Sequence, residues 1–186
     1  MMKTIKIKNM VCDRCKSVLQ NSFENAGMAI EKIELGEITF KDDRSFHFEK
    51  ANEILINNGF EFIHDENELL IEKVKSRILK ILDEQTELRV NLSEYLSKSL
   101  NKEYSILSKL FSTQQGLTIE KYFIRLKIEK AKEYIQMNNM SFSEIAYNLN
   151  YKSSSHLANQ FKSVTGIAMG EYKKLPFKRN SLDKIV

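Results

Sequence analysis

Residues 142–174 read FSEIAYNLNYKSSSHLANQFKSVTGIAMGEYKK, and their pattern indicates how the C-terminal part of the chain folds. Ser141, just before it, is followed three residues later by Glu144, a pairing typical of the first turn of a helix. Further along, Leu157 and Phe161 are spaced as on one face of a helix. The stretch therefore predicts a helix that begins at Ser141, a polar turn, and a second helix over residues 154–164.

A similar pattern occurs earlier in the chain. ILSKLFSTQQGLTIEKYF resembles HLANQFKSVTGIAMGEYK, since each reads apolar, three spacers, Phe, four spacers, Gly, five spacers, Tyr. The matched positions are Leu107/Phe111/Gly116/Tyr122 and Leu157/Phe161/Gly166/Tyr172. A short helix and a turn precede each copy. The sequence thus predicts two copies of a helix-turn-helix unit joined by a long helix after Gly116.

The second helix of each copy has a polar face opposite its apolar one. A helix that enters the major groove needs this division, with short polar side chains outward. Asparagine and glutamine can form two hydrogen bonds with adenine, serine can serve several bases, and lysine suits phosphate oxygens. The candidate DNA-binding residues are Ser105, Ser108, Lys109 and Ser112 in the first copy and Ser155, His156, Asn159, Gln160 and Lys162 in the second. The alternative is that these are the ordinary polar faces of surface helices.

These motifs resemble the DNA-binding domain of the AraC/XylS family. The family's turn, recognition helix and closing motif correspond here to Ile145-Ala146, Tyr151, Ser155, Phe161-Lys162, Thr165-Gly166 and Tyr172-Lys173, and RLKIEKAKEYI resembles its long joining helix. With a helix over 66–82 counted as the first, the resemblance covers residues 66–175 and implies seven helices. It also implies that both recognition helices enter successive major-groove segments of promoter DNA, about 34 Å apart on one face. RNA polymerase is a candidate second partner.

The chain departs from that family at three places. Asn150 replaces the usual turn glycine, but asparagine tolerates a positive φ, so we expect the turn to form. Met169 replaces the usual proline. Leu157 and Asn159 stand where Phe and Arg are common, so one phosphate contact is in doubt. None of these changes removes the expected fold.

Before residue 65 the pattern changes to strands that alternate with helices. Alternation of apolar and polar residues predicts strands, and apolar residues at helical spacing predict helices. The predicted strands are residues 3–9, one or two strands within 29–40, and residues 60–65; the predicted helices are residues 13–26 and 47–58. The order β-α-β-(β)-α-β predicts a ferredoxin-like domain over residues 1–65. The whole chain is then an α+β domain followed by an all-α tandem helix-turn-helix domain over 66–186.

Both cysteines, Cys12 and Cys15, follow the first predicted strand, where the first predicted helix opens. Two soft thiolates favour Cu(I), then Zn(II) and similar ions, and the start of a helix stabilises the anionic thiolate. Residues 3–64 resemble the heavy-metal-associated (HMA) domain of copper chaperones and metal-transporting ATPases. The resemblance implies that Cys12 and Cys15 are metal ligands and Met10 a buried neighbour, with Phe60 near the metal. Asn9 and Val11 replace that motif's Gly and Thr.

Three interpretations of this pair stay open. The pair senses a metal, acts as a dithiol redox switch, or is kept only as core or loop residues without a function of its own. His47, His64 and His156 are scattered and show no ligand spacing. The first interpretation predicts a regulator whose N-terminal domain alters how the C-terminal domain binds DNA. The alternative function is a metal-carrier or thiol-redox protein whose helical domain docks onto a protein partner.

The bulk composition agrees with a DNA-binding protein. Residues 1–65 hold 9 Lys/Arg and 11 Asp/Glu, whereas residues 66–186 hold 20 and 14, and from Lys152 onward there are 7 basic and 2 acidic residues. A basic C-terminal half and tail suit a polyanionic partner. No apolar run is long enough to span a membrane, and the N-terminus lacks a signal peptide, so we expect a cytoplasmic protein. No arrangement of residues suggests an enzyme.

Overall fold

The computed structural model describes residues 2–10, 13–83 and 90–175. The chain divides into two compact units, Met1–Arg77 and Ile78–Val186, here called the N-terminal unit and the helical unit. Helix α3, Glu66–Asp83, begins at the predicted domain boundary and contains the division between the two units. Within the described residues, no helix is both long and apolar enough to cross a membrane.

The N-terminal unit has the predicted order of strands and helices. Its elements before α3 are β1 Lys3–Lys8, α1 Asp13–Asn25, β2 Ile30–Glu34, β3 Glu37–Phe40, α2 Phe48–Asn57 and β4 Glu61–Phe62. The segment predicted to hold one or two strands forms two. Gly36 makes the turn between them with φ +83°, a conformation that favours glycine because it has no Cβ.

Its four strands form one antiparallel sheet in the order β2-β3-β1-β4. In β1, Ile5 lies opposite Ile38 of β3, and Ile7 lies opposite Phe62 of β4. Alternate residues of a strand point to opposite faces, so the two isoleucines of β1 share the face that packs on the core. That core also contains Leu19 and Phe23 of α1 and Ala51 and Leu55 of α2.

Phe48 differs from the other apolar residues of α2. It has the helical spacing of Ala51 and Leu55, but its side chain is 54% exposed, and its ring stacks on Phe62 with centroids 4.9 Å apart. Phe48 is the first residue of α2, so it lies beside the short strand β4 rather than above the middle of the sheet. The buried stripe therefore begins at Ala51.

The helical unit is formed by the end of α3 and six further helices. These are α4 Leu92–Leu100, α5 Tyr104–Gln115, α6 Ile119–Met137, α7 Phe142–Asn148, α8 Ser154–Thr165 and α9 Met169–Tyr172. The helices expected near Asn91, over 103–113, after Gly116, at Ser141, over 154–164 and around Tyr172 are all present. Together with α3 they make the seven helices that the family resemblance implies, within the described part of the chain.

The sequence repeat is also a repeat in structure. Phe111 and Tyr122 have ring centroids 5.4 Å apart, and Phe161 and Tyr172 lie at the same 5.4 Å. Gly116 and Gly166 end α5 and α8 in the left-handed conformation, with φ of +68° and +82°. In each copy the chain therefore turns at the glycine that ends the second helix, and the tyrosine that follows packs against the phenylalanine of that helix.

Helix α6 contributes to the cores of both copies. Near its start, Tyr122 packs on Phe111 of the first copy. Towards its end, Ile128, Ala131 and Ile135 join the second copy's core with Phe161. One continuous helix therefore connects the two copies, because its apolar residues continue through five turns of the same element.

We predict that Phe161→Ala lowers the free energy of unfolding by about 3–5 kcal/mol, because it removes a fully buried ring from the core of the second copy. Urea denaturation followed by circular dichroism measures this change. Val164→Ala is the matched control on the same helix, since Val164 is 43% exposed, and we expect a change within about 0.5 kcal/mol. Equal effects of the two substitutions would contradict the assigned inner face of α8.

Candidate nucleic-acid interface

Helix α7 begins at a complete capping box. The Glu144 backbone N–H donates to Ser141 Oγ at 3.3 Å, and the Ser141 N–H donates to Glu144 Oε2 at 2.7 Å. The hydrogen bond from the Ser141 backbone also lowers the pKa of Glu144, because it stabilises the carboxylate. The predicted start of the helix is confirmed, and two otherwise unsatisfied backbone donors have partners.

The turn between α7 and α8 depends on Asn150. Its φ is +54°, so the left-handed conformation expected at this position is confirmed. The Tyr151 N–H donates to the Ala146 carbonyl at 2.9 Å, which closes the end of α7. Ser153 then begins α8 by accepting a hydrogen bond from the His156 N–H at 3.1 Å. These contacts fix the direction in which α8 leaves the turn.

Helix α8 has one apolar face and one exposed polar face. Leu157 and Phe161 are fully buried or nearly so. The exposed polar residues among those predicted to contact DNA, called the α8 outer face below, are Ser155, His156, Asn159 and Lys162. The opposed faces expected of a recognition helix are therefore present.

Gln160 is placed differently from the residues of the α8 outer face. It is half-buried, and its Oε1 accepts a hydrogen bond from the hydroxyl of Tyr151. Because its amide is half-buried and bonded to Tyr151, Gln160 is presented less openly than Asn159 for the paired contact with adenine that the sequence suggested. Its position indicates a second role, which is to hold Tyr151 against the start of α8.

Helix α5 exposes fewer of the predicted residues. Ser105 and Lys109 are exposed, whereas Ser108 and Ser112 are half-buried. The Ser112 hydroxyl donates to the Ser108 carbonyl at 2.7 Å within the same helix. Serine in a helix commonly bonds the carbonyl four residues back, which turns its hydroxyl away from a ligand. The exposed polar residues of α5 that match the prediction, called the α5 outer face below, are thus Ser105 and Lys109.

The lysines of the α5 and α8 outer faces differ from other lysines of the helical unit in their ion-pair partners. Among the described residues, Lys109 and Lys162 have no acidic partner, while Lys98, Lys130 and Lys132 are paired with glutamates of their own helices. Unpaired exposed lysines leave a positive potential where a phosphate backbone would lie. Lys152, exposed in the turn before α8, adds to it and was not among the predicted residues.

Lys127 was also not among the predicted residues, and it lies on α6 rather than on a predicted recognition helix. Its Nζ lies 4.8 Å from the ring centroid of Phe123, four residues earlier, and 4.8 Å from that of Tyr151. The spacing of Phe123 and Lys127 on one helix face was a signal for the first contact. The second is a tertiary contact for which the sequence gives no signal.

The proposed metal ligands are only partly described. Cys12 and Val11 lie outside the described residues. Cys15 lies in the first turn of α1, half-buried, and packs against the same core as Met10 and Phe60, both of which are buried. In residues 2–10, 13–83 and 90–175 no three His, Cys, Asp or Glu side chains are grouped closely enough to hold a metal ion.

Asn9 precedes this segment in the left-handed conformation, with φ +70°. It stands where the HMA motif has glycine, the residue that most readily adopts such a φ. Its N–H donates to Glu72 Oε2 of α3 at 3.3 Å, and Glu72 is itself buried beside Lys75, with Nζ and Oε1 3.1 Å apart. The chain just before the cysteines is therefore held to α3.

Comparison with known proteins agrees with this geometry. Residues 96–175 match the family model of a helix-turn-helix domain. A helix-turn-helix-type transcriptional regulator of Bacillus subtilis, YtdP, is 25% identical over 154 residues, which cover 79% of this chain and 20% of YtdP. A protein of Streptomyces lividans named as an AraC-like transcription regulator is 33% identical over 72 residues, 39% of this chain and 24% of that protein. Residues 96–175 are therefore similar to helix-turn-helix domains, including those of AraC-like transcription regulators.

A solved structure shares the fold of this domain. The C-terminal domain of AraT, a response regulator from Geobacillus stearothermophilus, superposes with a TM-score of 0.52 at 18% identity, covering 59% of this chain and 88% of that one. The chain spans about a fifth to a third of the length of the curated relatives that it matches. The similarity to these proteins therefore concerns the helix-turn-helix domain and its fold.

We predict that Asn150→Ala is less stable than Asn150→Gly by about 1 kcal/mol, because alanine is strained at a positive φ and glycine is not. Both substitutions remove the same amide group, so the difference between their free energies of unfolding reports the backbone strain at residue 150. Thermal and urea unfolding of the two variants measure it. Equal stabilities would mean that residue 150 does not hold the left-handed conformation in solution.

Proposed function

We propose that this chain is a sequence-specific DNA-binding transcription regulator in which α5 and α8 enter successive major-groove segments. The observation that supports it most strongly is the structural repeat, in which the same phenylalanine–tyrosine contact orients the second helix of each copy. Each of these helices then exposes short polar side chains and a lysine with no acidic partner among the described residues. The reported relatives are transcription regulators rather than enzymes.

The exposed residues suggest distinct contacts. The amide of Asn159 can pair with the N6 and N7 edge of adenine, and the hydroxyls of Ser105 and Ser155 can contact bases of either kind. Lys109 and Lys162 suit phosphate oxygens, which set the position of the protein on the duplex. Gln160 acts instead through Tyr151, as a positioning residue of α8.

Two further parts of the proposal concern where and with what the regulator acts. A protein that binds promoter DNA acts in the compartment that holds the DNA, which for a bacterial-type regulator is the cytoplasm. RNA polymerase is the candidate protein partner, since a regulator bound at a promoter lies beside it. Both parts depend on the DNA-binding proposal.

We predict that Asn159→Ala weakens binding to a selected operator by about 10- to 100-fold, the value of one paired base contact, while binding to random duplex changes little. Operators are first selected from a random library with the full chain, and affinities are measured by fluorescence anisotropy at several salt concentrations. Asn139→Ala, an exposed asparagine outside α8, is the matched control and is expected to bind like the unmodified chain.

The DNA-binding proposal fails if the full chain shows no salt-dependent affinity for duplex DNA at low salt. A chain that transfers a metal ion to a partner protein but ignores DNA would instead be the metal-carrier or thiol-redox protein of the alternative interpretation. Loss of binding in both asparagine variants would also contradict the assignment, because only Asn159 belongs to the α8 outer face.

We further propose that the N-terminal unit has a ferredoxin-like fold and responds to a soft metal ion at Cys12 and Cys15. Support for the fold comes from the β-α-β-β-α-β order and the fully antiparallel sheet. Support for the metal comes from two thiol donors, of which Cys15 packs on an apolar core with buried Met10. Thiolates in apolar surroundings suit Cu(I), which Cys12 and Cys15 would hold through their two sulfur atoms. A dithiol switch would use the same two residues.

We expect Cu(I) to change the affinity of the full chain for its operator. Such a change requires that Cu(I) bind more tightly to one of two arrangements of the chain, and that these arrangements differ in their affinity for DNA. Gel-shift titrations with and without one equivalent of Cu(I), under reducing conditions, measure the change. The Cys12→Ser/Cys15→Ser double variant is expected to be unresponsive. Equal operator affinity of the unmodified chain in both conditions would contradict metal sensing and leave the DNA-binding proposal intact.

A further inference from the structure

The helical unit contains a cleft of about 660 Å³ whose lining includes none of the residues of the α5 and α8 outer faces. The end of α3, the start of α4, the middle of α6 and the turn after α7 form its walls. Leu92 and other aliphatic side chains line one part, and the aromatic rings of Phe123 and Tyr151 line another. This volume falls in the range of about 300–1,000 Å³ that small-molecule sites usually have.

The described residues that line the cleft carry charge of one sign. They include Lys127 and Lys152 and several asparagines, and within residues 2–10, 13–83 and 90–175 no acidic side chain lines it. Lys127 is half-buried between the rings of Phe123 and Tyr151, and among the described residues it has no carboxylate partner. By contrast, Lys130 and Lys132, one turn further along α6, each lie within ion-pair distance of a glutamate.

A partly buried ammonium group without a counter-ion is unusual because burial takes it out of water. This desolvation lowers the pKa of Lys127 to about 8. The two ring faces compensate for part of the lost hydration, since a cation is attracted to the face of an aromatic ring. The rings carry no formal negative charge, so the ammonium group of Lys127 can still bind an anion.

We propose that this cleft binds a small organic anion, with a carboxylate or similar oxygen group on Lys127 Nζ and an apolar body against Leu92 and the neighbouring aliphatic side chains. The asparagines that line the cleft can donate further hydrogen bonds to the anionic oxygens. The backbone phosphate of DNA offers the same chemistry from another source. We favour the small molecule because the cleft is lined by both aliphatic and aromatic side chains, which a phosphodiester would not use.

The position of the cleft gives such a ligand a direct connection to α8. Tyr151, which covers Lys127, also donates its hydroxyl to Gln160, and its ring meets that of His156 edge to face with centroids 5.3 Å apart. The start of the recognition helix and the wall of the cleft therefore share one side chain. The binding proposal itself does not depend on DNA recognition.

Benzoate is the probe for the test, and benzyl alcohol, which has the same ring without the charge, is its neutral control. Two-dimensional ¹H–¹⁵N spectra of the full chain are titrated with each compound. We expect saturable shifts for benzoate, confined to amides around the cleft such as those of Leu92, Lys127 and Tyr151. We expect benzyl alcohol to bind at least about tenfold more weakly, because it cannot make a charged hydrogen bond with Lys127.

Lys127→Met should weaken benzoate binding at least about tenfold, and Lys121→Met, an exposed lysine on the same helix, should leave it unchanged. Equal affinity for benzoate and benzyl alcohol, or no saturable shift with benzoate, would overturn the proposal even if Lys127→Met failed to fold. The proposal would also be overturned if the chain did not bind benzoate and Lys127→Met bound random duplex DNA more weakly than the unmodified chain. The salt dependence of DNA binding by that variant would then be smaller by about one phosphate contact. In that case Lys127 and the cleft would bind the DNA backbone.

Discussion

The contact between Phe161 and Tyr172, repeated between Phe111 and Tyr122, is the interaction on which the helical unit depends. In each copy the two rings lie 5.4 Å apart by their centroids and are buried. Aromatic pairs at this distance add to the stabilisation already gained from burial. Because the phenylalanine is on the second helix of each copy, the contact fixes which face of that helix points inward. The outward face, which carries the candidate DNA contacts, follows from it.

Helix α6 converts two such copies into one domain. Its first turns complete the core of the first copy, and its later turns complete the core of the second. A rigid helix between the copies sets the spacing of α5 and α8, which a flexible linker would leave variable. The same helix presents Lys127 to the cleft, so the element that joins the two copies also forms part of the proposed anion site.

Much of this fold could be predicted from the sequence because its signals are local. The capping box at Ser141 and the left-handed Asn150 depend on residues a few positions apart, and both were predictable. Side-chain placement was less predictable, because it depends on tertiary partners. Gln160 looks like an exposed base-reading residue in the sequence, but it is half-buried and bonded to Tyr151. Ser112 looks outward on a helical projection, but its hydroxyl bonds its own helix.

In the proposed complex, one chain contacts two successive major-groove segments through α5 and α8. Hydroxyl-radical and methylation footprinting of a selected operator detects this contact when the full chain is used at a concentration where it is monomeric. We expect two protected segments on one face of the duplex, centred about 10 base pairs apart, the spacing of one helical turn. A single protected segment under those conditions would contradict the proposed complex, because only one of the two copies would then bind DNA.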